Sequence, residues 1–160
     1  MRACKLDRID RQLLDLLQGD ASQSLDTLAG KVALSAPAIQ RRIKRMRDDS
    51  VIVRDTIEIN PAAVGLPMTF IVIVELVREN SDQIAAFARK AADEDLVQQC
   101  YYVTGEGDFV LIVLAQDMSN FEALTKRLFF SDPNVRRFKT LVVMGKPHRS
   151  LWVPCSQVTE

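Results

Sequence analysis

The stretch Ser35-Ala-Pro-Ala-Ile-Gln-Arg-Arg-Ile-Lys-Arg-Met-Arg47 decides how the rest of the chain is organised. It carries five basic residues and no acidic one. At about 100° per residue in an α-helix, Ile39, Ile43 and Met46 share one narrow face. The opposite face carries Arg41, Lys44 and Arg45, with Pro37 and Gln40 beside them toward the N-terminal end. Such a helix can pack on a small core and offer its far side to phosphates.

Two shorter patterns precede this stretch and predict helices that pack against it. Apolar residues at positions 6, 9, 13, 16 and 17 have helical spacing, with Asp7 as the N-cap and Gly19 as the stop. Ser24 begins a second helix that ends near Val32, and Ser35 begins the third, with Pro37 in its first turn. A short helix, a tight turn and a basic helix predict a helix-turn-helix domain. Its expected core is Leu13, Leu16, Leu28, Val32, Ile39 and Ile43.

The residues after the basic helix are rich in β-branched side chains from Val51 to Ile59. Two interpretations remain open: a two-stranded wing turning at Arg54-Asp55, or one strand. Asn60-Pro61 ends the segment. We therefore expect a DNA-binding domain over residues 1–60 and a linker over residues 61–67.

The second half alternates between strand and helix patterns. Strands are predicted over 68–77, 96–104, 109–115 and 135–144, and helices over 82–92 and 120–130, begun by Ser81 and Ser119. A glycine turn over 105–108 joins the two middle strands. The order βαββαβ predicts a ferredoxin-like domain over residues 68–146, and the whole chain is α+β. Its sheet has an open apolar face, which predicts dimerisation.

Residues 147–160 are expected to form a C-terminal tail. It has no clear pattern, and Trp152 is its one large aromatic side chain. We expect Trp152 to dock on the body of the protein or on a neighbouring subunit.

Composition excludes several classes of protein. Three widely spaced cysteines and one histidine argue against a disulfide framework and against a zinc site, so no metal or cofactor is expected. The longest apolar run, Phe70–Val74, is too short to cross a bilayer, which predicts a soluble intracellular protein without a membrane partner. Residues 1–60 carry a net charge of +2 and residues 61–160 carry −2, so the basic patch is local.

Several motifs together resemble the leucine-responsive regulatory protein (Lrp)/AsnC family. The matching stretches are Leu6-Asp-Arg-Ile-Asp-Arg at the start, Leu28-Ala-x-x-Val-x-Leu-Ser35, Ile39-x-x-Arg-Ile-x-x-Met46, Asn60-Pro61 with Gly65, Val103-Thr-Gly-x-x-Asp-Phe109, Asp117-Met118 and Val142-Val-Met144. In this order and spacing they cover most of the chain, from about Leu6 to Met144.

The resemblance implies a sequence-specific transcriptional regulator and not an enzyme. The start of the second helix of the motif would enter the major groove of double-stranded DNA. Base contacts are expected near Ser35, Pro37, Gln40 and Arg41, and phosphate contacts from Lys44 and Arg45, with Arg42 completing the DNA-binding set. A homodimer assembling to a tetramer or octamer would double this surface. The expected location is the cytoplasm of a prokaryote, in association with the nucleoid.

The resemblance also implies a small amino acid or related metabolite as effector. The candidate pocket comprises Thr104, Gly105, Glu106, Gly107, Asp108 and Met118. Glycine amides would approach the carboxylate of the effector, and Asp108 would meet its ammonium group. Met118 has a simpler interpretation as a core methionine.

Three departures from the family pattern bear on these expectations. Ala33 stands in the turn before the basic helix, and Ser50 follows that helix, where family members usually have glycine. If the backbone at Ala33 is left-handed, alanine costs about 1 kcal/mol there. Gly107 is an additional glycine that would make the effector loop more flexible.

Two alternative functions remain open from the sequence. A siroheme-decarboxylase-like enzyme would need histidine and arginine around a tetrapyrrole, and the single histidine, His148, lies in the tail. An architectural, chromosome-organising protein would bind DNA with little effector response. A short, sequence-specific footprint would count against that second alternative.

Overall fold

A computed structural model describes residues 5–145 and 151–157 and divides the chain into two compact units. One unit contains residues 5–57 together with 151–157, and the other begins at Glu58. Lys146, at the end of the expected effector domain, and His148 lie outside the described residues. None of the helices in the described part of the chain is long and apolar enough to span a membrane.

Three helices form the N-terminal unit: α1 (Arg8–Gly19), α2 (Leu25–Val32) and α3 (Ala36–Asp48). The predicted caps at Asp7 and Ser24 are confirmed, because their side chains accept the amides of Asp10 and Thr27. Ser35 occupies the cap position of α3, although its side chain makes no capping hydrogen bond. The buried core is Leu13, Leu14, Leu28, Val32, Ile39, Ile43 and Met46. It contains Leu14 and Met46 in addition to the expected residues, and the expected Leu16 is only half-buried.

Both positions where family members usually have glycine adopt the left-handed conformation. Ala33 has φ 51° and Ser50 has φ 57°. The turn between α2 and α3 is therefore left-handed at Ala33 and includes the cost of a Cβ atom in that conformation, on the order of 1 kcal/mol.

The predicted wing is wrong, and so is the single strand. Residues 53–60 have no strand partner in the described structure. Val53 and Ile57 are each 80% exposed. An isolated hairpin is marginal in water. Arg54 and Asp55 do not form a turn, and Asp55 pairs with Arg47. The segment has no regular secondary structure up to a short 3₁₀ turn, Pro61–Val64.

The second unit has the expected βαββαβ order. Its elements are β1 (Met68–Leu76), α4 (Ser81–Ala92), β2 (Val97–Tyr102), β3 (Phe109–Ala115), α5 (Met118–Thr125) and β4 (Val135–Val142). The strands lie in the order β2-β3-β1-β4 and all neighbours are antiparallel, which is the ferredoxin-like arrangement.

Helix starts in this unit differ from the prediction. Asn80, not Ser81, caps α4, and Asp117, not Ser119, caps α5. Both caps are Asx side chains that accept the amide three residues ahead, and they place each first turn one or two residues earlier. After Thr125 the predicted helix continues as a π-helical turn, Lys126–Phe130.

The sheet has one covered and one open face. Alternate residues of β1 and β3 point to the helix side and form the core with helix residues such as Phe87, Phe121 and Leu124. The other face carries two cross-strand rows, which are Leu141–Ile71–Ile112–Gln99 and Lys139–Ile73–Val110–Tyr101. Most of these side chains are only partly covered, and Leu141 is 43% exposed.

Candidate DNA-binding surface and effector loop

Helix α3 is fixed by its apolar face and by its flank toward α1. Ile39 and Met46 are fully buried and Ile43 is nearly so. On the flank toward α1, Arg42 Nη1 lies 2.8 Å from Asp10 Oδ1 and 2.7 Å from Asp7 Oδ2. Arg45 donates to the other oxygen of Asp10. The carboxylate of Asp10 is fully buried and joins these two arginines to the first turn of α1.

This network changes the interpretation of two predicted DNA contacts. Hydrogen bonds to Asp10 and then to Asp7 raise the pKa of the Arg42 guanidinium. Both hydrogen bonds come from Nη1, so that end of the guanidinium is held against α1. Arg42 is therefore assigned to positioning α3, and Arg45 shares that role with its side chain 46% exposed. No local pattern indicates this pairing, because the partners are more than thirty residues apart in the sequence.

The remaining predicted residues lie on the exposed side of α3. Ser35, Pro37, Gln40 and Arg41 are all exposed. Arg41 and Gln40 have no side-chain hydrogen bond or ion pair with any other residue that the structure describes. Lys44 pairs with Asp48 at 2.9 Å in an exposed (i, i+4) arrangement, which raises the pKa of the lysine. Such a surface pair is weak and can exchange its carboxylate for a phosphate.

The effector loop, residues 104–108, has an exposed first half and a buried end. Thr104, Gly105 and Glu106 are exposed, whereas Gly107 and Asp108 are buried. Gly105 has φ 136°, a conformation that favours glycine. The loop follows β2 and leads directly into β3.

Asp108 makes hydrogen bonds to the backbone of β1 through both its side chain and its own amide. Its Oδ2 accepts the amide of Leu76 over 2.6 Å, and its own amide donates to the Val74 carbonyl over 2.8 Å. The accepted amide lies where the pairing of β1 with β4 shifts register, between Glu75 and Leu76. The side chain therefore satisfies an amide at an irregular point of the strand, which leaves it poorly placed for the ammonium of an effector.

The expectation that Gly107 makes the loop flexible is wrong. A Cβ atom at this position would lie 2.5 Å from Ile73 Cγ2 and 3.2 Å from the Val74 carbonyl oxygen. The glycine therefore allows the loop to pack directly onto β1. A close approach of this kind has no signature in the sequence alone.

Met118 lies far from this loop within one chain. It is the first residue of α5 and is 55% exposed, so it is not a core methionine. The loop precedes β3 and Met118 follows it, and a seven-residue strand spans roughly 20 Å. A single chain does not bring Met118 and the loop together.

An open cleft of about 490 Å³ adjoins the loop. It is lined by Ile73, Glu75, Glu106, Arg137, Phe138 and Lys139. Glu75 is already paired with Arg136 and Arg137. Glu106 and Lys139 have no ion-pair partner among the described residues, so the cleft presents one available charge of each sign.

A helix-turn-helix unit joined to a ferredoxin-like unit defines a class of transcriptional regulators, and comparison with known proteins identifies the family. Residues 6–47 match the AsnC-type helix-turn-helix domain, and residues 69–153 match the Lrp/AsnC ligand binding domain. The chain belongs to the Lrp/AsnC family of transcriptional regulators.

Individual relatives agree with this assignment. A helix-turn-helix transcriptional regulator of Sinorhizobium fredii is 42% identical over 152 residues, covering 95% of this chain and 90% of the relative. The DNA-binding transcriptional activator DecR of Escherichia coli is 32% identical, covering 81% and 86%.

Solved structures show the same architecture. A crystal structure of an AsnC family regulator from Agrobacterium tumefaciens superposes with a TM-score of 0.87 at 27% identity, covering 93% of this chain and 97% of that one. A transcriptional regulator from Neisseria meningitidis, solved in complex with L-methionine, has a TM-score of 0.87 at 25% identity, covering 94% and 97%. The fold and the regulatory function expected from the sequence are thereby confirmed.

Proposed function

We propose that this regulator binds double-stranded DNA through the exposed side of α3, with Ser35, Pro37, Gln40 and Arg41 nearest the bases. The observation that carries the proposal is the contrast within α3. Arg42 and Arg45 are held by Asp10, whereas Arg41 and Gln40 are exposed and have no partner within the described structure. Arginine and glutamine are side chains that form bidentate contacts to base edges in the major groove.

Lys44 supplies a phosphate contact in this proposal. Arg45 supplies a second phosphate contact only when its guanidinium is not fully engaged by Asp10. Phosphate contacts fix the position of a helix on the duplex and carry no sequence information. The uncompensated positive charge of one copy is small, so a second copy is required for strong binding. The domains that carry these functions are taken as residues 1–60 and 68–146, with 61–67 between them.

The proposed second copy covers the open face of the sheet. The row Leu141–Ile71–Ile112 is apolar across three strands and is incompletely buried in one chain. Burying this row against its own copy removes apolar surface from water. We propose a homodimer that assembles further to a tetramer or octamer, and light scattering after gel filtration gives the mass. Ile112→Lys at the centre of the row is expected to reduce that mass.

We further propose that a small amino acid binds at the cleft beside the effector loop. Glu106 would accept the ammonium group and Lys139 would pair with the carboxylate, while Gly105 allows close approach of the backbone. Thr104 lies at the edge, and Gly107 and Asp108 hold the loop on β1. Met118 would join this site only if another copy supplied it. A thermal-shift screen of the twenty amino acids identifies the effector, beginning with L-methionine.

Selection of duplexes from a random-sequence library by the full-length protein tests the DNA-binding proposal. Enrichment of a short motif that Arg41→Ala no longer enriches is the expected result. Retention of DNA without any enriched motif would favour a chromosome-organising protein.

A tetrapyrrole that co-purifies with the protein would favour the enzyme alternative over our proposal of a non-enzymatic regulator. Such a regulator acts where the chromosome lies, which in a bacterium is the nucleoid in the cytoplasm.

A further inference from the structure

One face of α1 is fitted to the C-terminal segment 151–157, which we call the strap. Gln18 makes a reciprocal pair with Val153: its Oε1 accepts the Val153 amide over 2.8 Å, and its Nε2 donates to the Val153 carbonyl over 2.9 Å. Two residues opposite each other in an antiparallel sheet can exchange the same pair of hydrogen bonds. Here the side-chain amide of Gln18 takes the place of one of those residues.

Asp15 binds the end of the strap. Its two carboxylate oxygens accept the amides of Cys155 and Ser156, each over 3.1 Å, and the Ser156 hydroxyl also donates to it. These amides begin the 3₁₀ turn Cys155–Gln157, so Asp15 caps that turn. Arg11 completes the set by donating to the Cys155 carbonyl over 3.3 Å.

Apolar contacts accompany these hydrogen bonds. Cys155 packs against the core of the helix-turn-helix unit, and a Cβ atom at Gly19 would lie 3.9 Å from the Trp152 ring. Burial, and then the neighbouring Asp15 carboxylate, raises the pKa of the Cys155 thiol. Of the two docking sites expected for Trp152, the structure has the one on the body of the protein, against α1 of the DNA-binding unit.

The positions on α1 that contact the strap follow a helical repeat. Arg11, Asp15 and Gln18 are spaced by four and three residues, which places them on one side of the helix. Most of the groups that they bind on the strap are backbone atoms of residues 153–156. The site therefore recognises the backbone of a segment that ends in a turn, and this chain carries such a segment itself.

We propose that the strap is a second tether of the DNA-binding unit, attaching it to the ligand-binding unit independently of the linker. The chain leaves the DNA-binding unit at residue 57 and returns to it at residue 151. A unit held by one flexible linker samples a volume that grows with linker length. A second attachment reduces that volume and so restricts the distance between paired recognition helices. This consequence rests on the proposed function, whereas docking of the strap does not.

The first arm of the test measures docking in the full-length chain. Alkylation of Cys155 by iodoacetamide is followed by peptide mass spectrometry, with Cys100 as the internal comparison. Asp15→Ala with Gln18→Ala is expected to raise the Cys155 rate by about tenfold, because the hydrogen bonds that hold the strap are removed. Val153→Pro, which lacks the amide donor, should act in the same direction while leaving the Asp15 charge in place.

A control on the same helix separates docking from general destabilisation. Gln12→Ala alters a half-buried residue of α1 whose side chain makes no hydrogen bond to the strap residues that the structure describes, so the Cys155 rate should stay unchanged. Docking is refuted if wild-type Cys155 reacts as fast as it does in urea. Protection that disappears on dilution would refute docking within one chain, because the strap would then come from another copy.

The second arm tests whether the strap restricts the DNA-binding unit. It measures affinity for the duplex that the wild-type protein selects and for a variant of that duplex. Five base pairs inserted between half-sites rotate them by about half a turn. The wild type should lose affinity on this insertion, and Val153→Pro should lose several-fold less. An equal loss in both proteins overturns the tether. Failure to select any duplex overturns the proposed function instead, and the alkylation arm still decides whether the strap docks.

Discussion

Arg42 Nη1 and Asp10 Oδ1 lie 2.8 Å apart, joining the middle of α3 to the first turn of α1. Asp10 is fully buried, and its second oxygen accepts from Arg45 and from the amide of Asp7. One carboxylate thus serves both the capping box of α1 and the orientation of α3. The relationship separates the arginines of α3 into those that build the domain and those available to DNA.

Removing the carboxylate should unfold the N-terminal unit more readily. Asp10→Ala leaves two guanidinium groups without their buried partner, which costs about 3 kcal/mol of unfolding free energy. Urea denaturation followed by helical circular dichroism measures the change. Asp48→Ala removes an exposed pair with Lys44 and should change the unfolding free energy by less than about 1 kcal/mol. Equal effects of the two substitutions would show that Asp10 is not structural.

The salt dependence of DNA binding should distinguish Lys44 from Arg42. Removing one phosphate interaction lowers the slope of log K against log salt concentration by about 1. Lys44→Ala is therefore expected to weaken binding and flatten the slope, and Arg41→Ala to weaken binding and reduce base preference. Arg42→Ala should reduce the folded fraction and leave the slope of the folded protein unchanged. Gel-shift titrations at several salt concentrations measure the slopes, and a flattened slope for Arg42→Ala would restore it to the interface.

Gly107 should tolerate no side chain. Gly107→Ala places a Cβ atom 2.5 Å from Ile73 Cγ2, so the loop or β1 must shift at a cost of about 1–3 kcal/mol. A lower Tm for the ligand-binding unit is the expected result. Gly30→Ala in α2 meets nothing within 4 Å and should instead stabilise its helix by up to about 1 kcal/mol. If Gly107→Ala left Tm unchanged or raised it, the close packing of Gly107 would be disproved.

Local signals in the sequence predict the elements better than the contacts between them. Asp7, Ser24 and Pro37 act within one turn of their own helices, and the predicted bounds of β3, 109–115, match the observed strand. Strand ends elsewhere differ by one or two residues, where no capping group marks the boundary. The pairing of Arg42 with Asp10, the packing of Gly107 and the strap depend on residues far apart in the sequence, so no local pattern encodes them. The predicted wing is wrong because a strand needs a neighbouring strand to pair with, and a segment rich in β-branched residues does not by itself provide one.

The stability of the N-terminal unit should fall in acid through Asp7. A hydrogen bond from the Asp10 amide, helped by Arg42, lowers the pKa of this carboxyl in the folded protein. A lowered folded-state pKa contributes stability that is fully present above the ordinary aspartate pKa and is lost as pH falls through the folded-state value. Urea midpoints measured from about pH 6 down to below about pH 4 should therefore decline less steeply for Asp7→Asn than for the wild type. Parallel curves would contradict the assignment.

Glu106 and Lys139 should each be needed for the amino acid identified by the thermal-shift screen. Replacing either charge by a neutral side chain of similar length removes a charge-assisted hydrogen bond, which weakens binding by roughly ten- to a hundredfold. Isothermal titration of Glu106→Gln and Lys139→Met measures this loss. Glu79→Gln, an exposed residue of the same unit outside the cleft, is the matched control and should bind normally.

Asp108, in the same loop as Glu106, is expected to affect stability as well as effector binding. Asp108→Ala is expected to lower Tm as well as affinity, because its carboxylate accepts the Leu76 amide and so holds the loop on β1. Thermal denaturation and isothermal titration of the same preparation separate the two effects. If Asp108→Ala abolished binding without a change in Tm, while Glu106→Gln bound normally, Asp108 would be the direct ligand and the cleft would be the wrong site.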